Sequence, residues 1–119
     1  CDYDNSINFL NRANESNPKA VPFYETMLLF CHLGKNDWIS ANQSVDRSMR
    51  ENDHSRYHAF KAVVLAHEGK IEESKEWLKK YQENRPEIKT IEDYEKVVPG
   101  INQEVKEILL NGMRKAGLK

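Results

Sequence analysis

GKIEESKEWLKKYQENRP, residues 69–86, opens on a glycine and closes on a proline. Between them Ile71, Ser74, Trp77, Leu78 and Tyr81 recur at the three- and four-residue spacing of one helical face. Glu72, Glu73 and Glu76 alternate with Lys75, Lys79 and Lys80 on the rest of the surface, the pattern of a solvated, charge-paired face. Nothing in the stretch is reactive, so its interest lies in architecture. Just upstream, Tyr57, Phe60, Ala62, Val63, Val64, Leu65 and Ala66 predict another helix, closed by Gly69. The small residues Ala62 and Ser74 stand where two packed helices can bring their backbones together.

The same pattern extends towards the start of the chain. Phe23, Met27, Leu28, Phe30 and Cys31 predict a helix between Pro22 and Gly34. Ile39, Ala41, Val45, Ser48 and Met49 predict a more polar one that fades at Glu51–Ser55. Pro18, Pro22, Pro86 and Pro99 all fall where a helix should begin or end. Strand-like alternation is absent over any useful length. Gly34 and Gly69 are 35 positions apart (69 − 34), and Pro18 and Pro86 are 68 apart (86 − 18), twice a 34-residue period.

In that spacing, with Ala62, Leu65, Gly69, Ile71, Ser74, Leu78, Tyr81 and Pro86 as landmarks, the chain resembles a tetratricopeptide repeat. The expected fold is all-α, a right-handed solenoid of antiparallel helix pairs with a C-terminal capping helix. Residues 1–18 fit the second half of a repeat, 20–53 and 54–86 are repeats, and 90–119 are capping helices. Gly34 to Ala41 spans seven residues where Gly69 to Ser74 spans five. The middle turn is therefore expected to be two residues longer, with Trp38 in the packing place of Ile71. Thr90 can cap a short helix through Lys96, Pro99-Gly100 breaks it, and Ile101, Val105, Ile108, Leu109 and Met113 predict a last amphipathic helix. The chain is expected to open mid-repeat, as a piece of a longer protein. Its first helix, lacking a partner, could pair with a second copy, so a homodimer is one expected state.

Three further features point to a narrower resemblance. The ending Gly112–Leu118 is one; the others are Pro-Phe-Tyr at 22–24 and His-Leu-Gly at 32–34. Together they resemble the C-terminal repeat region of bacterial class III adenylate or guanylate cyclases and winged-helix transcriptional activators. That resemblance implies that catalysis or DNA binding belongs to an N-terminal domain, and that these repeats are a cytoplasmic regulatory or scaffolding part. Cys1 offers a different possibility, a repeat lipoprotein anchored through that residue, which would place it in the periplasm or on a lipid surface.

Composition excludes several classes. Eighteen basic and 19 acidic residues among 119 give a net charge of −1, without the electrostatic footprint of a nucleic-acid binder. The longest apolar runs, Met27–Cys31 among them, are far too short to span a bilayer. Cys1 and Cys31 are too few for a disulfide scaffold, and Cys31 reads as a thiol within an apolar helix. No phosphate loop, dinucleotide glycine signature or zinc-ribbon spacing is present. Cys31 and His32 diverge by roughly 100° around a helix, which argues against a catalytic dyad. His54 and His58 are four apart, but no acidic or cysteine ligand accompanies them at metal-site spacing. No enzyme activity, cofactor or metal is expected.

Binding remains. By helical phase Tyr24, Leu28, Cys31 and His32 line the concave side of one repeat, and Arg56, Ala59, Val63 and His67 that of the next. Tyr24, Leu28, His32, Arg56, Val63 and His67 are accordingly the candidate groove residues for a protein or peptide partner. Leu28, Ala59 and Val63 read more simply as core between helices. His32 and His67, each two residues before a glycine, either face the groove together or merely end their helices, where an imidazolium suits the C-terminal dipole. A small-ligand cavity lined by Tyr24, His32 and His67 is the alternative.

Overall fold

The computed structural model describes residues 2–16, 21–51, 53–98 and 102–119, with the backbone alone at 21–23. Expectations that rest on Cys1, Pro18, Pro99, Gly100 or Ile101 lie outside these residues. The described residues form seven helices and no strand: α1 (Tyr3–Ser16), α2 (Val21–Gly34), α3 (Trp38–Glu51), α4 (Ser55–His67), α5 (Ile71–Asn84), α6 (Ile91–Val97) and α7 (Gln103–Ala116). The fold is all-α and repeat-like. Among the described residues no helix is long and apolar enough to cross a membrane.

Contacts divide the chain into two units, Cys1–Asp53 and His54–Lys119. Each is organised around a helix that is apolar on nearly every side, the pattern of a helix covered by its neighbours. In the first unit that helix is α2, which carries buried Leu28, Leu29, Phe30 and Leu33 and packs against both α1 and α3. In the second it is α4, with Tyr57, Ala59, Phe60 and the whole run Ala62–Ala66 buried. Helix α5 and α7 both pack on α4, each with one apolar face and one polar face. Helix α1 contributes no buried residue and leaves Phe9 70% exposed, so it covers α2 only along one edge.

The helices of each principal pair are joined by turns of equal length, not by a longer one in the middle. Three residues separate α2 from α3 and three separate α4 from α5. Their hydrogen bonds correspond one for one at an offset of 33 (69 − 36). Lys35 N–H donates to Cys31 O as Glu68 N–H does to Val64 O, and Asn36 to Leu33 O as Gly69 to Ala66 O. Asp37 donates to His32 O as Lys70 does to Leu65 O, and Ala41 to Asp37 O as Ser74 to Lys70 O. Trp38 then begins α3 where Ile71 begins α5, the correspondence expected from the sequence.

Glycine spacing misled by two residues because the two glycines do different work. The left-handed turn position is Asn36 (φ 59°) in one unit and Gly69 (φ 84°) in the other, and asparagine is among the few residues that tolerate that conformation. Gly34 instead ends α2, where an added Cβ would run into the ring of Tyr3. It lets α1 approach α2.

Close approach also explains Ser74 and the last residues of the chain. Ser74 is fully buried and its hydroxyl donates to the Ala62 carbonyl at 2.6 Å, tying α5 to α4 at the small residues the sequence singled out. Thr90 caps α6 through a reciprocal capping box with Asp93. Asn102 caps α7 by accepting from Val105 N–H at 2.8 Å. At the other end Gly117 adopts φ 113°, Leu118 N–H returns to Met113 O, and the Leu118 side chain is buried. The Gly112–Leu118 motif is thus a packing and stop signal.

Candidate functional site

Tyr24, Leu28 and His32 lie on α2 in the first unit; Arg56, Val63 and His67 lie on α4 in the second. Tyr24 is half-buried and Leu28 is buried. The offset of 33 makes Leu65 the counterpart of His32 and Gly34 the counterpart of His67, so the two histidines do not occupy equivalent places. Val63 is fully buried and faces α7, whose Gly112 backbone passes close enough that a Cβ there would stand 2.6 Å from Val63 Cγ1. Helix α7 therefore covers the part of α4 that carries Val63.

His67 joins the same contact. Its Nε2–H donates to the Ile108 carbonyl at 2.9 Å, and its Nδ1 accepts from Lys115 Nζ at 3.3 Å, an arrangement that requires the neutral ring. Burial holds His67 below the ordinary imidazole value; the Ile108 hydrogen bond opposes this, and the Lys115 charge adds to it. His32 is also lowered, mainly by burial, with Asp37 opposing. Its Nδ1 is buried with no hydrogen-bond partner among the described residues. Neither ring is the imidazolium at a helix end that the dipole argument invites.

These shifts fix a sign. In the unfolded chain each imidazole takes its proton near 6.5, whereas the folded chain resists it to lower pH. Their contribution to stability is present above 6.5 and is lost as pH falls through the lowered folded values. Urea unfolding should show stability falling from pH 7.5 to 5.5, with His67→Gln flattening the change followed at Trp77 and His32→Gln that followed at Trp38. An unchanged slope in either variant would remove that histidine as its source.

Arg56 leads to a different feature of the second unit, a cavity of about 200 Å³ at the start of α4. Its floor is Ala59 and Phe60 from α4, Tyr81 from the end of α5 and Tyr94 from α6, all buried. The two tyrosine rings meet edge to face, centroids 6.0 Å apart at 87°. Burial pushes both phenols up, so both are neutral hydroxyls at ordinary pH. The rim carries His54, Arg56 and Arg85, with Val97 at the lip. Among these lining residues none is acidic.

Local structure holds the walls in place. His54 is the N-cap of α4, its Nδ1 accepting from Arg56 N–H at 3.1 Å, and the Arg56 guanidinium lies 5.4 Å from the Tyr57 ring centre. Arg85 ends α5 and pairs with Glu87. Gln82 donates to Ile88 O at 3.0 Å, and Asp93 accepts from Lys89 and Thr90 N–H, so the segment leading to Tyr94 is fixed from both ends.

Comparison of the chain with protein-family models, with curated proteins and with solved structures found no match.

Of the residues that helical phase placed on the groove side, Arg56 and Ala59 line this cavity, Ala59 as part of its buried floor. Periodicity showed Phe60 and Tyr81 only as members of apolar helix faces. Arg85 stands beside Pro86, which marks a helix end in the sequence. The available signal was a basic residue at the end of each of two consecutive helical segments, His54 and Arg85, beside aromatic residues. No pairing rule in the sequence brings those ends together.

Proposed function

We propose that this chain is a non-catalytic, tetratricopeptide-like interaction module that recognises a protein or peptide partner. The observation that supports this most is the recurrence, 33 residues apart, of one turn with the same hydrogen bonds between packed helices. Repeated helix pairs of this kind build extended surfaces rather than enclosed reaction centres. A right-handed solenoid of antiparallel pairs is the arrangement this reading requires. The motifs at 22–24, 32–34 and 112–118 favour a cytoplasmic regulatory region joined to a bacterial cyclase or winged-helix domain.

The test begins with the encoding frame upstream of Cys1. A cyclase or winged-helix domain there should change its output when residues 1–119 are deleted, and should bind the isolated chain in a titration. A signal segment ending just before Cys1 would overturn the regulatory reading in favour of a lipid-anchored protein. Unchanged output together with no binding would remove the interaction reading itself. A second reading, sensing of a small ligand, is favoured by the cavity beside Arg56, with different walls from those the sequence suggested.

A further inference from the structure

We propose that the cavity at the start of α4 binds a small aromatic carboxylate, its ring on the Phe60–Tyr81–Tyr94 floor and its carboxylate at Arg56 and Arg85. This rests on the ligand-sensing reading and leaves the partner-binding reading untouched.

Charge is the first argument. A chain with 19 acidic residues and a net charge of −1 has collected His54, Arg56 and Arg85 around one opening, with no acidic side chain among the lining residues. The first turn of α4 has no acidic residue either, so within that turn nothing opposes the positive end of its dipole. Arg85 keeps donors to spare beyond its Glu87 partner, because a guanidinium carries five N–H groups in a fixed fork. Glu87 is exposed, so water readily takes over its contact if a ligand carboxylate claims the guanidinium.

Shape and floor chemistry narrow the class. Inorganic phosphate or acetate would satisfy the rim and leave the apolar and aromatic floor without a partner. A cavity of roughly 150 Å³ accommodates benzene, so about 200 Å³ holds one ring with a short acidic arm. Drug-sized ligands and nucleotides need larger clefts, roughly 300 Å³ and upwards, and an extended peptide segment does not fit. The edge-to-face tyrosine pair offers a third ring the geometry that aromatic groups prefer.

The experiment uses the full 119-residue chain, labelled with ¹⁵N and titrated with 3-phenylpropionate, its neutral amide, acetate and 3-phenylpropylamine. Phenylpropionate should shift the amides of Ala59, Phe60, Tyr81, Arg85 and Tyr94 saturably, with a Kd of about 1 mM or tighter for a ligand of this size. The amide and acetate should bind at least tenfold more weakly. Arg56→Gln and Arg85→Gln, both at surface positions, should each weaken phenylpropionate about tenfold while leaving the rest of the spectrum in place. Equal affinity for acid and amide, or unaltered affinity in both variants, would overturn the carboxylate site. Binding of the amine at the same residues would overturn the charge assignment and leave ligand sensing standing. Absence of a saturable shift with every probe at ~10 mM would remove both.

Discussion

Gly112→Leu should cost the second unit ~3 kcal/mol or more and Gly112→Ala about 1–2 kcal/mol, although alanine is the better helix former by roughly 1 kcal/mol. The reason is the separation of α4 and α7 at this point. A Cβ on residue 112 would lie 2.6 Å from Val63 Cγ1 and 3.0 Å from Val63 Cα, so part of the obstacle is backbone. Valine has one strongly preferred helical rotamer and cannot swing its methyl group aside, so the helices must separate instead. Separation would strain the buried seam of Val105, Leu109, Leu110, Met113 and Ala116 and the His67 to Ile108 hydrogen bond. Urea unfolding followed at Trp77, with Trp38 replaced by phenylalanine, measures this. Val63→Ala should recover part of the loss in the Gly112→Ala background, since it removes the nearest atom. Greater stability of Gly112→Ala than of the parent would show that propensity outweighs the contact.

Arg47→Met should destabilise the first unit by about 1–3 kcal/mol, less than the roughly 3–5 kcal/mol for breaking a fully buried ion pair, because the arginine side chain is 42% exposed and water can reach the site. Glu25 sits on the central helix α2 and is only 3% exposed. Its Oε1 forms an ion pair with Arg47 Nε of α3 at 3.1 Å and accepts, more loosely, from Asn14 Nδ2 of α1 at 3.4 Å. Its Oε2 has no hydrogen-bond partner among the described residues, so removing Arg47 leaves a buried carboxylate with almost nothing to hold its charge. Glu25→Leu combined with Arg47→Met should restore stability to near the parent, since an apolar pair at such a place is often as good as the ion pair. Trp38 fluorescence during unfolding gives all four corners of the cycle. A coupling near zero would mean that the pair contributes nothing to holding α1 and α3 to α2.

Helix identity was readable because the apolar residues of α5 and α7 recur along one face, while those of α2 and α4 leave almost no polar side. Helix α6 was readable from its cap, since Thr90 and Asp93 stand at capping-box spacing before an apolar residue. The turn between α2 and α3 was misjudged through Gly34. A glycine before a turn usually marks the left-handed position, yet here that position belongs to Asn36 and the glycine answers to Tyr3, 31 residues earlier (34 − 3). The same misalignment made His32 and His67 look equivalent.

The sequence by itself determined the all-α class, the ends of most helices and the small residues where α4 meets α5, because each depends on periodicity or on chemistry within a few positions. Only the tertiary structure decided that α7 lies over Val63 and His67, and that His54, Arg56 and Arg85 ring an aromatic-floored cavity with Tyr94. Those juxtapositions depend on how helices far apart in the chain cross. A helical period says which face is apolar, but not which neighbour will cover it.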